Sequence, residues 1–127
     1  MGINMAHISI IEDSRIDQCY SAAILRKEGW SVDIIEPTEI LAIIDLLVEH
    51  PPSLLLLDYM LPQLRGDTIA EVCRRHPVLK NIPILVLTAH QDPGLSLRLL
   101  TLGVREVLYK PIPQKQLVEA VRRYLPI

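Results

Sequence analysis

The feature that most limits what this chain can fold into is an alternation that runs its whole length. Short, branched apolar runs are separated by segments whose apolar residues recur at helical spacing. Residues 7–11, 31–35, 53–57, 84–87 and 106–109 read as strands. Residues 53–57 and 84–87 show no polar alternation, as expected for strands buried on both faces. Between them lie helical patterns over residues 14–28, 38–50, 67–76, 93–102 and 113–124. In the first, Ile16, Tyr20, Ala23 and Ile24 suggest the buried stripe, and in the second Ile40, Ile43, Ile44 and Leu47. Thr38 is placed as the N-cap of the second helix. Asp92-Pro93 supplies an N-cap and a first-turn proline for the fourth. Gly29 and Gly103 stand where helices end. Five strands and five helices in strict alternation predict an α/β domain with a parallel sheet and helices on both faces. Right-handed crossovers restrict the topology further.

Composition narrows the function classes. The chain has 127 residues, enough for one domain spanning 1–127 that needs no disulfide or metal to fold. Thirteen basic against fifteen acidic side chains leave no electrostatic footprint for nucleic acid or an anionic membrane. No run approaches the ~20 apolar residues of a membrane span. Residues 1–6 lack the pattern of a secretory leader. Cys19 and Cys73 form no framework and no C-x-x-C pair, which points to a reducing cytoplasm and two core thiols. The four histidines have no metal-ligand spacing and read as surface or edge residues, and Trp30 as a packing residue.

In such a sheet, ligands sit beyond the carboxyl ends of the strands. Glu12 and Asp13 follow the first strand, Asp58 the third, Thr88 the fourth and Lys110 the fifth. Clustered carboxylates repel unless a cation joins them. Hard oxygen donors suit Mg²⁺, which keeps several waters and accepts phosphate oxygens. An aspartate can act as a nucleophile toward phosphorus, and a lysine and a hydroxyl can neutralise the transferred group.

With the segment Asp58-Tyr59-Met60-Leu61-Pro62-Gln63-Leu64-Arg65-Gly66, the pair Thr88-Ala89 and the pair Lys110-Pro111, the sequence resembles the response-regulator receiver domains of two-component signalling. The resemblance runs from about His7 to Tyr124 and implies a flavodoxin-like single domain with strand order 2-1-3-4-5. It implies that Asp58 accepts a phosphoryl group from a sensor histidine kinase or a histidine phosphotransfer protein. It implies that Glu12, Asp13, Asp58 and the backbone carbonyl of Met60 hold Mg²⁺. Thr88 would bond a phosphoryl oxygen and shift its loop, and Lys110 would pair with the acidic cluster and then with the phosphoryl group. The Lys110-Pro111 bond is often cis in similar domains. The protein would be a phosphoacceptor rather than an enzyme with turnover. A partner, or a second copy, would read helix 93–102, strand 106–109 and helix 113–124.

One feature departs from the family pattern, and Met60 and His90 sit at positions that vary within it. Val107 occupies the place of an aromatic switch residue, three before the lysine, while Tyr109 is expected on the face opposite Lys110 and Leu108. Met60 is apolar where a polar side chain would orient water, which predicts slow loss of the phosphoryl group. Helix 93–102 carries two apolar faces, Leu95, Leu99 and Leu102 on one and Leu97, Leu100 and Val104 on the other, so the second suggests docking. The alternatives are a pseudo-receiver that is never phosphorylated, and a haloacid-dehalogenase-like phosphatase. The latter needs a second aspartate where Met60 stands.

Overall fold

The computed structural model describes residues 6–125. Residues 1–5, which carry most of the segment examined for a leader, lie outside them. In chain order the elements are β1 (His7–Ile11), α1 (Arg15–Lys27), β2 (Ser31–Ile35), α2 (Ile40–Glu49), β3 (Leu54–Asp58), β4 (Met60–Leu61), β5 (Leu64–Arg65), α3 (Gly66–Arg75), β6 (Ile84–Thr88), α4 (Pro93–Thr101), β7 (Glu106–Tyr109) and α5 (Gln114–Tyr124). Five strands form one parallel sheet in the order β2-β1-β3-β6-β7. This is the expected flavodoxin-like order once the short β4 and β5 are counted.

The sheet has an apolar layer on each face. Side chains alternate along a strand, so Leu55 and Leu57 of β3 enter one layer and Leu54 and Leu56 the other. The first layer packs against α2, α3 and α4 through Ile43, Leu47, Ile69, Cys73, Leu95 and Leu99. The second packs against α1 and α5 through Leu25, Leu117 and Val121. Every residue of β3 and β6 is buried, which is why neither strand shows polar alternation in the sequence.

Several local expectations need correction. The buried stripe of α1 is Gln18, Ser21, Ala22, Ile24 and Leu25, while Ile16, Tyr20 and Ala23 face solvent. The stripe tolerates Gln18 because its amide donates to the Glu12 carbonyl at 2.6 Å and to Glu36 at 3.2 Å. Tyr20 stays outside the core and donates its hydroxyl to the Ile112 carbonyl at 2.6 Å. Cys19 lies beside it and is exposed, so only Cys73 is a core thiol, with burial pushing it up to about 11. Glu39, not Thr38, is the N-cap of α2, and it makes no side-chain cap bond. Val104 turns inward, with its amide bonded to the Leu99 carbonyl, rather than joining Leu97 and Leu100 outside. The segment after β3 is an antiparallel ribbon, β4 with β5, turned at Pro62-Gln63. Gln63 has φ 60° there.

Because Leu56 is fully buried in the α1/α5 layer, Leu56→Ala is expected to cost about 2–5 kcal/mol. Urea unfolding of the two proteins measures it.

Candidate functional site at the strand ends

Sheet hydrogen bonds set the geometry of the site. The ladder continues past the strand ends, with the Tyr59 amide bonded to the Leu87 carbonyl at 3.0 Å and the Lys110 amide to the Thr88 carbonyl at 2.8 Å. These bonds fix the backbones of β3, β6 and β7 where Asp58, Thr88 and Lys110 emerge. Gly66 closes the loop from the other side, its amide bonded to the Tyr59 carbonyl at 2.9 Å. A Cβ at Gly66 would lie 2.9 Å from the Asp58 carbonyl oxygen and 3.0 Å from the Tyr59 Cα. The glycine is there for space, because backbone and backbone touch.

Three carboxylates meet beyond β1 and β3. Glu12, Asp13 and Asp58 each offer an oxygen within 4.8 Å of the others. Glu12 and Asp58 are buried and Asp13 is exposed. The Lys110 ammonium reaches into the group, 2.7 Å from Glu12 Oε1 and 3.6 Å from Asp58 Oδ1. It also lies 2.9 Å from Asp17 Oδ2. Glu12 is fixed at its other oxygen, Oε2, by the Ser14 amide at 3.1 Å. Ser14 in turn caps α1, its hydroxyl accepting from the Asp17 amide.

The charges perturb one another. Burial, then the hydrogen bond and charge of Glu12, push Asp58 from 3.8 up to about 7, against the pull of Lys110 and the Met60 amide. Burial works to lower the Lys110 ammonium, but its bonds to Glu12 and Asp17 and the Asp58 charge outweigh it, and the group is raised. The cluster is therefore short of positive charge, and a hard divalent cation fits its all-oxygen donor set.

The sequence-predicted residues separate into two groups. Glu12, Asp13, Asp58 and Lys110 come together, and the Met60 backbone reaches Asp58 through its amide. Thr88 is fully buried at the neighbouring strand end, but its hydroxyl accepts the His90 amide at 2.9 Å and so is engaged with its own loop. The sequence reading missed Asp17, Ser14 and Gln18. A signal was present, since Asp17 falls in the first turn of the helix that directly follows Glu12 and Asp13. Tyr59 was missed as well. It is buried, and its hydroxyl accepts from Arg98 of α4 at 3.2 Å, while Arg98 lies 3.9 Å from Asp67. Tyr109 pairs in register with Thr88 and Val107 with Val86, so Tyr109 lies on the expected face. Tyr109 and the exposed Leu97 and Leu100 line a groove of about 620 Å³.

Residues 8–122 match the family model described as response regulator receiver domain. The chain belongs to that family. The polar-differentiation response regulator DivK of Brucella ovis is 26% identical over 118 residues, 93% of this receiver and 94% of DivK. Hybrid signal transduction histidine kinase D of Dictyostelium discoideum is 40% identical over 70 residues, 55% of this receiver and 4% of that kinase. A response regulator structure from Chloroflexus aurantiacus superposes with a TM-score of 0.87 at 26% identity, covering 97% of this receiver and 99% of that chain. The receiver domain of a sensor histidine kinase from Pseudomonas aeruginosa, a structure with magnesium coordinated in its active site cleft, gives 0.84 at 24%, covering 97% and 99%. Among the described residues of this receiver no helix is long and apolar enough to cross a membrane.

Two outcomes follow from the geometry. Asp58 binds its proton more tightly folded than unfolded, so its contribution to stability falls as pH rises from about 4 to about 7. In metal-free buffer Asp58→Asn is expected to stabilise the fold by about 1–3 kcal/mol at pH 8 and by much less at pH 5, read by urea unfolding. Gly66→Ala is expected to cost about 1–3 kcal/mol by forcing the acceptor loop aside, and to weaken divalent-cation binding in the same protein.

Proposed function

We propose that this receiver is a phosphorylation-controlled switch of a His-Asp phosphorelay, and that Asp58 is its phosphoacceptor. The observation that carries this reading is the buried Asp58 carboxyl, set within an acidic cluster and 3.6 Å from one ammonium. A carboxylate oxygen of Asp58 bonds to phosphorus while the bond from phosphorus to the donor breaks, the donor being the phosphohistidine of a sensor kinase or of a phosphotransfer protein. Glu12, Asp13, Asp58 and the Met60 carbonyl hold Mg²⁺. When bound, the ion screens the carboxylates and the incoming phosphoryl oxygens. The magnesium in the Pseudomonas aeruginosa receiver supports that assignment. Lys110 pairs with the phosphoryl group. The Thr88 hydroxyl leaves the His90 amide for a phosphoryl oxygen, and the loop before α4 follows it. Residues 1–127 act as one receiver domain, in the cytoplasm, as substrate of other enzymes rather than as a catalyst with turnover.

A kinase or a phosphotransfer protein supplies the group, and a partner or a second copy reads α4, β7 and α5. Exposed Leu97 and Leu100 beside Tyr109 support the placement of that surface. The exposed Met60 side chain offers no polar group to orient a water, which supports slow loss of the phosphoryl group.

Incubation of the full chain with acetyl phosphate and Mg²⁺ is expected to add one phosphoryl group by intact mass. Chelation of the metal or Asp58→Asn abolishes the gain, and Lys110→Ala reduces it. A wild-type chain that gains nothing is an interaction module instead. Leu97→Glu with Leu100→Glu is expected to abolish association while leaving phosphorylation intact, by light scattering and mass together.

A further inference from the structure

The Lys110 ammonium is held more closely by a carboxylate outside the acidic cluster than by the acceptor. Asp17 Oδ2 is 2.9 Å from Nζ, and Asp58 Oδ1 is 3.6 Å away. The two carboxylates that do hold the ammonium differ in what letting go would cost. The Glu12 side chain is 1% exposed, and a buried carboxylate that loses its partner gains no water in return. The Asp17 side chain is 39% exposed, so water replaces the ammonium there at little cost.

A phosphoryl group on Asp58 would bring new negative charge to the buried end of this arrangement. Opposite charges attract more strongly the deeper they lie from water. The ammonium would then move toward Asp58, and the contact it gives up most cheaply is the one with Asp17. The first turn of α1 is tied to Glu12, because the Ser14 amide donates to Glu12 Oε2 and the Gln18 side chain donates to the Glu12 carbonyl, so Asp17 is held back when the ammonium moves.

We propose that Asp17 is a positioning residue that holds Lys110 in a resting place and releases it when Asp58 receives its group, so that this carboxylate restrains acceptance. The inference rests on the reading of Asp58 as phosphoacceptor. Asp17 acts through Lys110 and stands outside the group formed by Glu12, Asp13 and Asp58.

The test titrates beryllium trifluoride, a mimic of the phosphoryl group, into the full chain at saturating Mg²⁺. Asp17→Asn and Asp17→Ala are expected to bind it about threefold to fivefold more tightly than wild type, the size of a partly exposed ion pair. They are expected to take a phosphoryl group from acetyl phosphate correspondingly faster. Asp17→Glu keeps the carboxylate and is expected to stay within about twofold of wild type. Glu36→Gln removes a charge near Gln18 that does not touch Lys110, and is expected to change affinity less than twofold. Unchanged or weaker binding in folded Asp17→Asn and Asp17→Ala overturns the proposal. So does an equal gain in Glu36→Gln, which would make the effect one of net charge alone. A wild-type chain that binds no beryllium trifluoride overturns the reading of Asp58 itself. Binding that is normal in wild type and lost in Asp58→Asn leaves that reading standing whatever Asp17 does.

Discussion

The structure is organised around a buried charge imbalance. Glu12 and Asp58 are out of solvent within reach of one another, and Lys110 is the cation placed between them. Burying two carboxylates for one ammonium works against folding. The fold limits that cost by giving the buried oxygens hydrogen-bond partners. Glu12 has a partner at each oxygen and at its carbonyl, and Asp58 has the Met60 amide. The apolar layers on both faces of the sheet supply the stability that the site consumes. A chain arranged this way holds in its native state a place where added positive charge, or chemistry that redistributes negative charge, is favourable.

Much of this was legible in the amino-acid order. Runs such as residues 54–57 and 84–87 leave a buried parallel strand as the economical solution, and alternation with helices then dictates the crossovers. Because strand ends are where the chain leaves the sheet, Glu12, Asp13, Asp58, Thr88 and Lys110 could be placed on one edge without knowing any distance. The legible part ended where side chains choose partners. Periodicity does not find the α1 stripe because the buried Gln18 is satisfied by its hydrogen bonds and the small Ser21 is buried beside it, while Ile16 and Tyr20 remain outside. Hydrophobic periodicity cannot register a polar residue that is satisfied. Asp17 escaped for a related reason, since its partner lies 93 residues away in sequence.

The strand-end site is joined to the outer helices through several small contacts rather than a single one. Thr88 is tied to the loop before α4 by the His90 amide. Tyr59, next to the acceptor, meets Arg98 on α4, and Arg98 lies near Asp67 of α3. Val107 cannot supply an aromatic ring, but Tyr109 stands beside Thr88 in register and borders the groove at Leu97 and Leu100. The parts that surround Asp58 and the parts exposed on α4 are thus joined by contiguous side-chain contacts.

The placement of Trp30 has a spectroscopic consequence. It is the chain's sole tryptophan, buried after α1 at the amino-terminal start of β2, the opposite end of the sheet from the acidic cluster. A shielded indole of this kind is expected to emit in the blue and to give little access to a soluble quencher. Its signal is expected to follow loss of the α1/α5 layer rather than ion binding at the far edge, so an optical probe for the latter is better placed elsewhere.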